Sequence, residues 1–513
     1  MNIYFEIERL INFAIKKNLA TNSDINYLRN KYLFLLQLDN YDFSFDSKQL
    51  EQIATENLEY PDELLNNIYN YCSNSQITTL GPYKEIVIAN LMDVLLPLPN
   101  IIRSEFDNIT KQNGIVSALE YYYNLSINSN YIKLQDLTKN NKWINSTSYG
   151  DFEITINLAK PEKDPKQIAL IKKSISSSYP KCLLCSENEG FSGNYNHPSR
   201  TNLRIIPVTL NNENWFFQFS PYQYFNEHSI IFSASHRDML ISDNTFKALL
   251  DFVDIFPHYI IGANADIPIV GGSILNHDHF QAGNYTFPLE KAKSTHSISW
   301  DNYPSITGKI LHWPLSVISL TGNRNEILNL TNTIFNCWLD YSDSSHEIIS
   351  HSDERHNAIN PIVRKNSNNS YTMYIILRNN RTNETYPDGI FHPHRHLHHI
   401  KKENIGLIEA MGLAILPGRL QNEIKAIKNI ILSLSLNEIE SISNTNNIFK
   451  HKNWLKELIN SDQINEQNFE QIIKLGITQK FVEVLMCCGV FNNCNDSFIK
   501  FVQKTNGKII NLN

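Results

Sequence analysis

Gly271-Gly272-Ser273-Ile274-Leu275-Asn276-His277-Asp278-His279-Phe280-Gln281-Ala282-Gly283 is the stretch from which the rest of the chain can be read. Two histidines stand two residues apart, and a glutamine follows at the same interval. In an extended segment residues i, i+2 and i+4 share one face. The spacing therefore predicts a strand that presents His277, His279 and Gln281 together and turns Asp278 and Phe280 the other way. Just upstream, Gly271, Gly272 and Ser273 predict a turn. Glycine permits close backbone approach, and clustered N–H groups suit a phosphate. Histidine is the side chain best placed to attack, or to exchange protons, near neutral pH. The competing reading, a histidine-rich surface loop, is weakened by the glutamine in phase and by the small-residue turn.

Outward from this motif the pattern is that of an α+β unit. Phe152, Ile154, Ile156 and Leu158 alternate with polar residues, as in a half-buried strand. A helix is predicted from about Pro165 to about Ser176, strands over 203–210, 215–219 and 229–233, a helix over 244–256, and a strand over 259–263 that leads into the Gly-Gly-Ser turn. Beyond the motif, strands are predicted over 313–320 and 371–377 and helices over 327–340 and 403–415. A second cluster, Phe391-His392-Pro393-His394-Arg395-His396-Leu397-His398-His399, repeats the period-two spacing at His394, His396 and His398. This suggests an internal duplication with halves at 146–295 and 296–435. Residues 1–145 carry helical periodicity, as at Ile3, Ile7, Leu10, Ile11 and Ala14, and 436–513 are polar and mainly helical. In Tyr121-Tyr122-Tyr123, packing of a helix on the neighbouring domain is favoured over a stacking platform for bases.

Composition excludes several classes. The chain has 513 residues, 42% of them hydrophobic, so a sizeable core is expected. Its net charge of −7, with acids and bases interspersed, carries no nucleic-acid footprint. Glu6 and Glu8 interrupt the first apolar stripe, and no basic leader or membrane-length apolar run is seen, so a cytoplasmic protein is expected, off the membrane. Seven cysteines, an odd number at low density, fit reduced thiols. Cys487, Cys488 and Cys494 read as core thiols. Cys182 and Cys185 form a C-x-x-C, which can grip one metal, serve redox chemistry or lie buried as plain thiols. Taken with His236 and His277 they would make a two-sulfur, two-imidazole set acceptable to zinc, although spacing alone does not bring them together. Four protein ligands would make such a zinc structural and leave His279 as the free imidazole.

The motif GGSILNHDHFQAG resembles the active-site segment of the galactose-1-phosphate uridylyltransferases, in the histidine-triad superfamily, and more particularly their longer bacterial branch. GDFEITINLAKPEKDPKQIA, SSYPKCLLCSENEGFSGNYNHPSR, PHYIIGANADIPIVGGS, LRNNRTNETYPDGIFHPH and LHHIKKENIGLIEAMGLAILPGRL are similar to other segments of that branch. The resemblance covers roughly residues 85–425 and implies duplicated histidine-triad-like units with antiparallel sheets, often in a homodimer. It implies exchange of UMP between UDP-glucose and galactose 1-phosphate through a uridylyl-histidine. Carried over, His279 is the nucleophile, Gln281 binds the phosphoryl oxygens, Ser273 assists, and Asn264 lies near the nucleotide phosphates. Structural zinc on Cys182, Cys185, His236 and His277 is implied by the shorter branch, and no organic cofactor is expected. Arg378, Arg381, Lys401 and Lys402 are candidates for the sugar phosphate, and Glu409 for the hexose. The sequence departs from the shorter branch at Asp278 and Phe280, where that branch has proline or glycine, and by one extra residue between Ser273 and His277. Two other readings stand beside this one: another histidine-triad nucleotidyltransferase or dinucleoside polyphosphate phosphorylase, and a nucleotide-sugar binding protein without turnover.

Overall fold

Tyr371–Asn379 reads YTMYIILRN, and every residue of it is buried. A strand covered on both faces calls for a continuous apolar stretch, here Met373–Leu377, not the alternation of a half-exposed one. It lies within the main sheet of a computed structural model that describes residues 2–159, 179–432, 448–461, 464–491 and 495–511. The helix predicted over 165–176, Cys494 and residues 436–447 lie outside the described residues. The described strands are β1 (Asn141–Thr147), β2 (Gly150–Asn157), β3 (Ile206–Leu210), β4 (Glu213–Phe219), β5 (Ser229–Ser233), β6 (Ile260–Gly262) and β7 (His279–Gly283). They continue with β8 (Ser294–Ser299), β9 (Thr307–Leu311), β10 (Val317–Gly322), β11 (Asn357–Lys365), β12 (Tyr371–Asn379), β13 (Leu413–Pro417) and β14 (Lys508–Asn511). With the helices they make an α+β chain whose sheets are mainly antiparallel, as the sequence predicts.

The chain divides into two units, one formed by Met1–Lys139 and Pro161–Arg237, the other by Asn140–Lys160 and Asp238–Asn513. The helical N-terminal region thus shares a unit with residues 161–237, whereas the β1–β2 hairpin belongs to the other. In the first unit, helices span Ile3–Lys16, Ile25–Leu35, Ser47–Thr55, Asp62–Asn74, Lys84–Asp93, Pro99–Asn113 and Ile115–Asn128. The two acids that interrupt the first apolar stripe are buried and paired, Glu6 with Arg9 at 3.0 Å and Glu8 with Arg29 at 2.6 Å. Tyr122 is fully buried against Phe106, Phe217 and Phe219, and its hydroxyl donates to the Arg204 carbonyl. Those partners include β4, which pairs antiparallel with β3 and β5, so the tyrosine run packs a helix onto a sheet.

In the second unit the sheet order is β7-β6-β11-β12-β10-β9-β8-β14, antiparallel throughout. Helices Asp243–Ile255 and Arg324–Leu339 lie on β11 and β12. Phe246 and Phe335 meet between them with ring centroids 5.6 Å apart. Trp338 is buried and donates from its indole to the Ala358 carbonyl at 2.9 Å, which satisfies the one polar atom it takes into the core. The helix predicted over 403–415 is corrected: only Leu407–Ala410 is helical, Met411 caps it, and Leu413–Pro417 becomes β13, pairing in parallel with β2. Gly412 has φ +98°, a conformation that a helix cannot pass through. Among the described residues no helix is long and apolar enough to cross a membrane.

A buried polar chain closes this unit. His399 Nδ1 lies 2.8 Å from His451 Nδ1, and His451 Nε2 lies 2.9 Å from Glu423, which also takes Arg419 and Lys450. Burial pushes His399 down to about 3, with the neighbouring His451 adding to the shift. The unfolded chain takes up a proton at this histidine near its ordinary value, and the folded chain does not. Stability contributed here is therefore complete above about pH 6.5 and is lost as pH falls toward 3. We expect His399→Gln to lose less of its urea midpoint than the parent between pH 6.5 and 4. Parallel midpoint curves for the two proteins would exclude His399 as the source.

Candidate functional site

The site begins at the junction of β6 and β7. The two strands pair Gln281 with Gly262, Ala282 with Ile261 and Gly283 with Ile260. β7 starts at His279, two residues later than the period-two reading predicts. His277 ends a turn, its N–H donating to the Ile274 carbonyl at 3.2 Å, and Ile274 itself has φ +56°. The extended face therefore holds His279 and Gln281, and His277 precedes it. This displacement matters chemically, because it brings the His277 carbonyl 2.8 Å from His279 Nδ1. A carbonyl only accepts, so Nδ1 carries the proton and Nε2 carries the lone pair. His279 is buried, and burial drives it down to about 4, against the opposing pull of that hydrogen bond. The ring is neutral at neutral pH, with Nε2 as its basic nitrogen.

The turn before it is held from behind. Gly271 has φ +91°, and a Cβ there would stand 2.1 Å from the Ile405 carbonyl oxygen. Both the dihedral and the space require glycine. Gly272 and Ser273 follow, Ser273 exposed. Asn264 is buried and its Oδ1 accepts from the Leu407 N–H at 3.0 Å. Gly271 and Asn264 thus both meet the 405–407 segment.

The cationic candidates separate. Arg378 is only 1% exposed; Nη1 donates to Asn360 Oδ1 at 3.0 Å, and Nη1 and Nη2 both donate to the Ile405 carbonyl at 3.2 Å. Lys401 is buried and paired at 2.7 Å with Glu409, whose other oxygen accepts from the Gly406 N–H. Burial opposes the charge on Lys401, but Glu409 and Glu403 outweigh it and hold its pKa above the ordinary value. Arg381 donates to the Glu347 carbonyl at 2.7 Å, and Lys402 is exposed. Asn360, wholly buried in β11, is the residue that sequence reasoning missed. An asparagine inside the apolar run Ala358–Val363 was the available signal.

The second histidine cluster does not repeat the first. Arg395–Leu397 is a single 3-10 turn, so His394, His396 and His398 do not share a strand face. His392 bonds Asn404, His394 the Ile390 carbonyl and His398 the Pro393 carbonyl.

The first unit carries a Cys/His cluster able to bind a metal. Cys182, Cys185 and His236 have their ligand atoms within 4.8 Å of one another, with 3.5 Å between the sulfurs and 3.2 Å from Cys185 Sγ to His236 Nδ1. Asn188 shapes the thiol loop by donating to the carbonyls of Cys182 and Cys185, both at 2.8 Å, and its own Oδ1 is held by His197. Burial pushes the Cys185 thiol up to about 11, and the Cys182 sulfur adds to the shift. Two thiols and an imidazole drawn together in this way match the soft donors that zinc takes, and a dication would offset the cost of a buried thiolate.

Residues 19–238 match the galactose-1-phosphate uridyl transferase N-terminal domain, and residues 252–446 match the C-terminal domain of the same family. Over 507 residues the chain is 45% identical to the galactose-1-phosphate uridylyltransferase of Clostridium acetobutylicum, covering 98% of this chain and 99% of that one. It is 44% identical to the Caldanaerobacter subterraneus protein of that name, over 95% and 94% of the two chains, and 38% identical to the Bacillus subtilis one, over 99% of each. A crystal structure of yeast Ap4A phosphorylase is similar at a TM-score of 0.32 and 12% identity, over 64% of this chain and 89% of the other, a level that adds nothing to the assignment. The two matched domains define the class, a nucleotidyltransferase built of an N- and a C-terminal half. The chain belongs to the galactose-1-phosphate uridylyltransferase family.

Gly271→Ala tests the turn directly. The positive φ alone costs about 1–3 kcal/mol for a residue with a Cβ, and the Ile405 carbonyl must also move. We expect a lower urea midpoint together with faster hydrogen exchange over residues 263–278. An unchanged midpoint and exchange rate would show that the turn is not held against Ile405.

Proposed function

We propose that this chain exchanges UMP between UDP-glucose and galactose 1-phosphate in two displacements at His279. The observation that carries the reading is the buried neutral imidazole with its Nδ1–H given to the His277 carbonyl. In the first step Nε2 attacks the α-phosphorus of UDP-glucose. The bond from that phosphorus to the bridging oxygen breaks, and glucose 1-phosphate leaves with the electron pair. In the second, a phosphate oxygen of galactose 1-phosphate attacks the same phosphorus, the P–N bond breaks, and UDP-galactose departs. Splitting one transfer into two displacements is the purpose of a covalent nucleophile.

The non-bridging oxygens gain charge in each transition state and require fixed donors. Gln281, next but one on the strand from His279, is assigned to them, with Ser273 and the Gly271–Ser273 amides. The Gln281 amide does not titrate, so it donates without competing for a proton. Asn264 is assigned to the nucleotide phosphates. Lys402, exposed, is assigned to the sugar phosphate, while the buried Lys401–Glu409 pair shapes the segment that carries it. His277 is assigned as fourth ligand to a zinc on Cys182, Cys185 and His236. Such an ion, when bound, supplies structural restraint and no open coordination position. Residues 146–295 and 296–435 are read as the duplicated halves of a histidine-triad fold, and the working form as a homodimer.

Mixing the protein with UDP-glucose alone should leave a uridylyl group on the peptide that contains His279, seen by mass spectrometry. His279→Ala should lose transfer by on the order of 10⁴-fold or more while still binding UDP-glucose. Turnover retained in that variant would remove His279 as nucleophile. Protein purified without chelator is expected to carry about one zinc per chain. Cys185→Ser should lower that figure, and a parent content under about a tenth of an equivalent would contradict a structural zinc.

A further inference from the structure

We infer that Arg378 and Asn360 are a positioning pair that sets the turn ahead of His279, acting from inside the protein through the Ile405 carbonyl. The inference rests on the uridylyl-transfer reading of His279.

One guanidinium bears on the connection between β6 and β7 at its start and at its middle. At the start, Nη1 donates to Asn360 Oδ1, and Asn360 Nδ2 donates to the Ala263 carbonyl at 3.2 Å. Ala263 is the residue that follows β6, and its N–H is held by the Pro361 carbonyl of β11 at 3.0 Å. At the middle, Nη1 and Nη2 hold the Ile405 carbonyl, the atom against which Gly271 is packed. Asn264 capping Leu407 joins the same two segments a second time. The chain from 263 to 278 leaves one strand and returns as the strand that begins with His279. Its path is therefore set by where Arg378 places Asn360 and Ile405.

The bonding of this arginine supports a positioning role rather than a phosphate contact. Its side chain is almost wholly enclosed, its Nε is buried without a hydrogen-bond partner among the described residues, and both terminal nitrogens are committed to protein oxygens. Three of its five N–H groups are thus spent on protein oxygens, and the fork made by Nη1 and Nη2 faces Asn360 and Ile405. No carboxylate forms an ion pair with it among the described residues, and its acceptors are neutral amide oxygens. An unpaired buried charge is costly. The compensation we identify is geometric. A planar fork fixes the directions of its N–H groups, whereas the three N–H groups of an ammonium rotate about its stem. A displacement of about 1 Å in a reacting group can cost on the order of 10²-fold in rate.

The test uses the full-length protein and the variants Asn360→Ala, Arg378→Lys and the double variant Asn360→Ala/Arg378→Lys. Each single variant should lower kcat for uridylylation of His279 by on the order of 10²-fold, with KM for UDP-glucose and for galactose 1-phosphate within about threefold of the parent. The double variant should lose little more than the worse single one, because both act through one unit. Hydrogen exchange over residues 263–278 should rise in each, whatever the activity. A raised KM for galactose 1-phosphate with kcat unchanged would make Arg378 a substrate contact and overturn the inference. So would multiplicative losses in the double variant, or parent-like exchange in Asn360→Ala. If Arg378→Lys does not fold, the kinetic and exchange measurements on Asn360→Ala decide alone. Failure of the parent protein to form the adduct would count against the transfer reading, and the exchange measurement would still judge the positioning pair.

Discussion

The hydrogen bond from His279 Nδ1 to the carbonyl of His277 decides which nitrogen of the ring is basic, and the site is arranged so that this bond can form. An imidazole in water interchanges its tautomers freely. Here the proton is held on one side by an acceptor that cannot give it back, and burial keeps a second proton from arriving. Neither effect suffices alone. Burial without the acceptor would leave the tautomer open, and the acceptor without burial would stabilise the charged ring, which has no lone pair to offer.

The bond exists because the strand starts late. Were the chain extended from His277, as its spacing suggests, the His277 carbonyl would point along the sheet toward a neighbouring strand. The turn through Ile274 rotates it toward the ring of His279 instead. That turn belongs to a connection pinned at Ala263 by Asn360, at Asn264 by Leu407 and at Gly271 by the Ile405 carbonyl. Its supports are buried polar groups on β11, β12 and the 405–407 segment. Such groups raise the cost of the core unless every partner is in place, and they accordingly tolerate few alternative arrangements.

Parts of this were legible in the chain. The alternation at Phe152, Ile154 and Ile156 is the face of β2, and the strand predicted over 371–377 lies in β12. The stretch LIEAMGLAILPG reads equally as a helix or as a buried strand, since short apolar runs carry no period that separates the two. Parallel pairing with β2, more than two hundred residues away in sequence, makes its second half a strand. β11 was hidden for another reason. Pro361 and Asn360 break its apolar pattern, and proline inside a run argues against a strand. The pairing with β12 accepts both, because the proline still offers its carbonyl and the asparagine side chain finds Arg378 and the Ala263 carbonyl. The period-two pattern of the second histidine cluster misled for the opposite reason: those rings sit on a 3-10 turn and are bonded to nearby backbone and to Asn404.

By itself the sequence determined the reactive groups and their order. A histidine, a glutamine two residues on, a small-residue turn before them and a pair of thiols are local facts, carried by covalent spacing and side-chain chemistry. Only the tertiary structure decided which nitrogen of the His279 ring carries the proton, that Arg378 faces inward and Lys402 outward, and that Asn360 joins Arg378 to the Ala263 carbonyl. Those outcomes depend on burial and on hydrogen bonds such as Arg378 to Ile405, between residues whose separation along the chain says nothing about their separation in space.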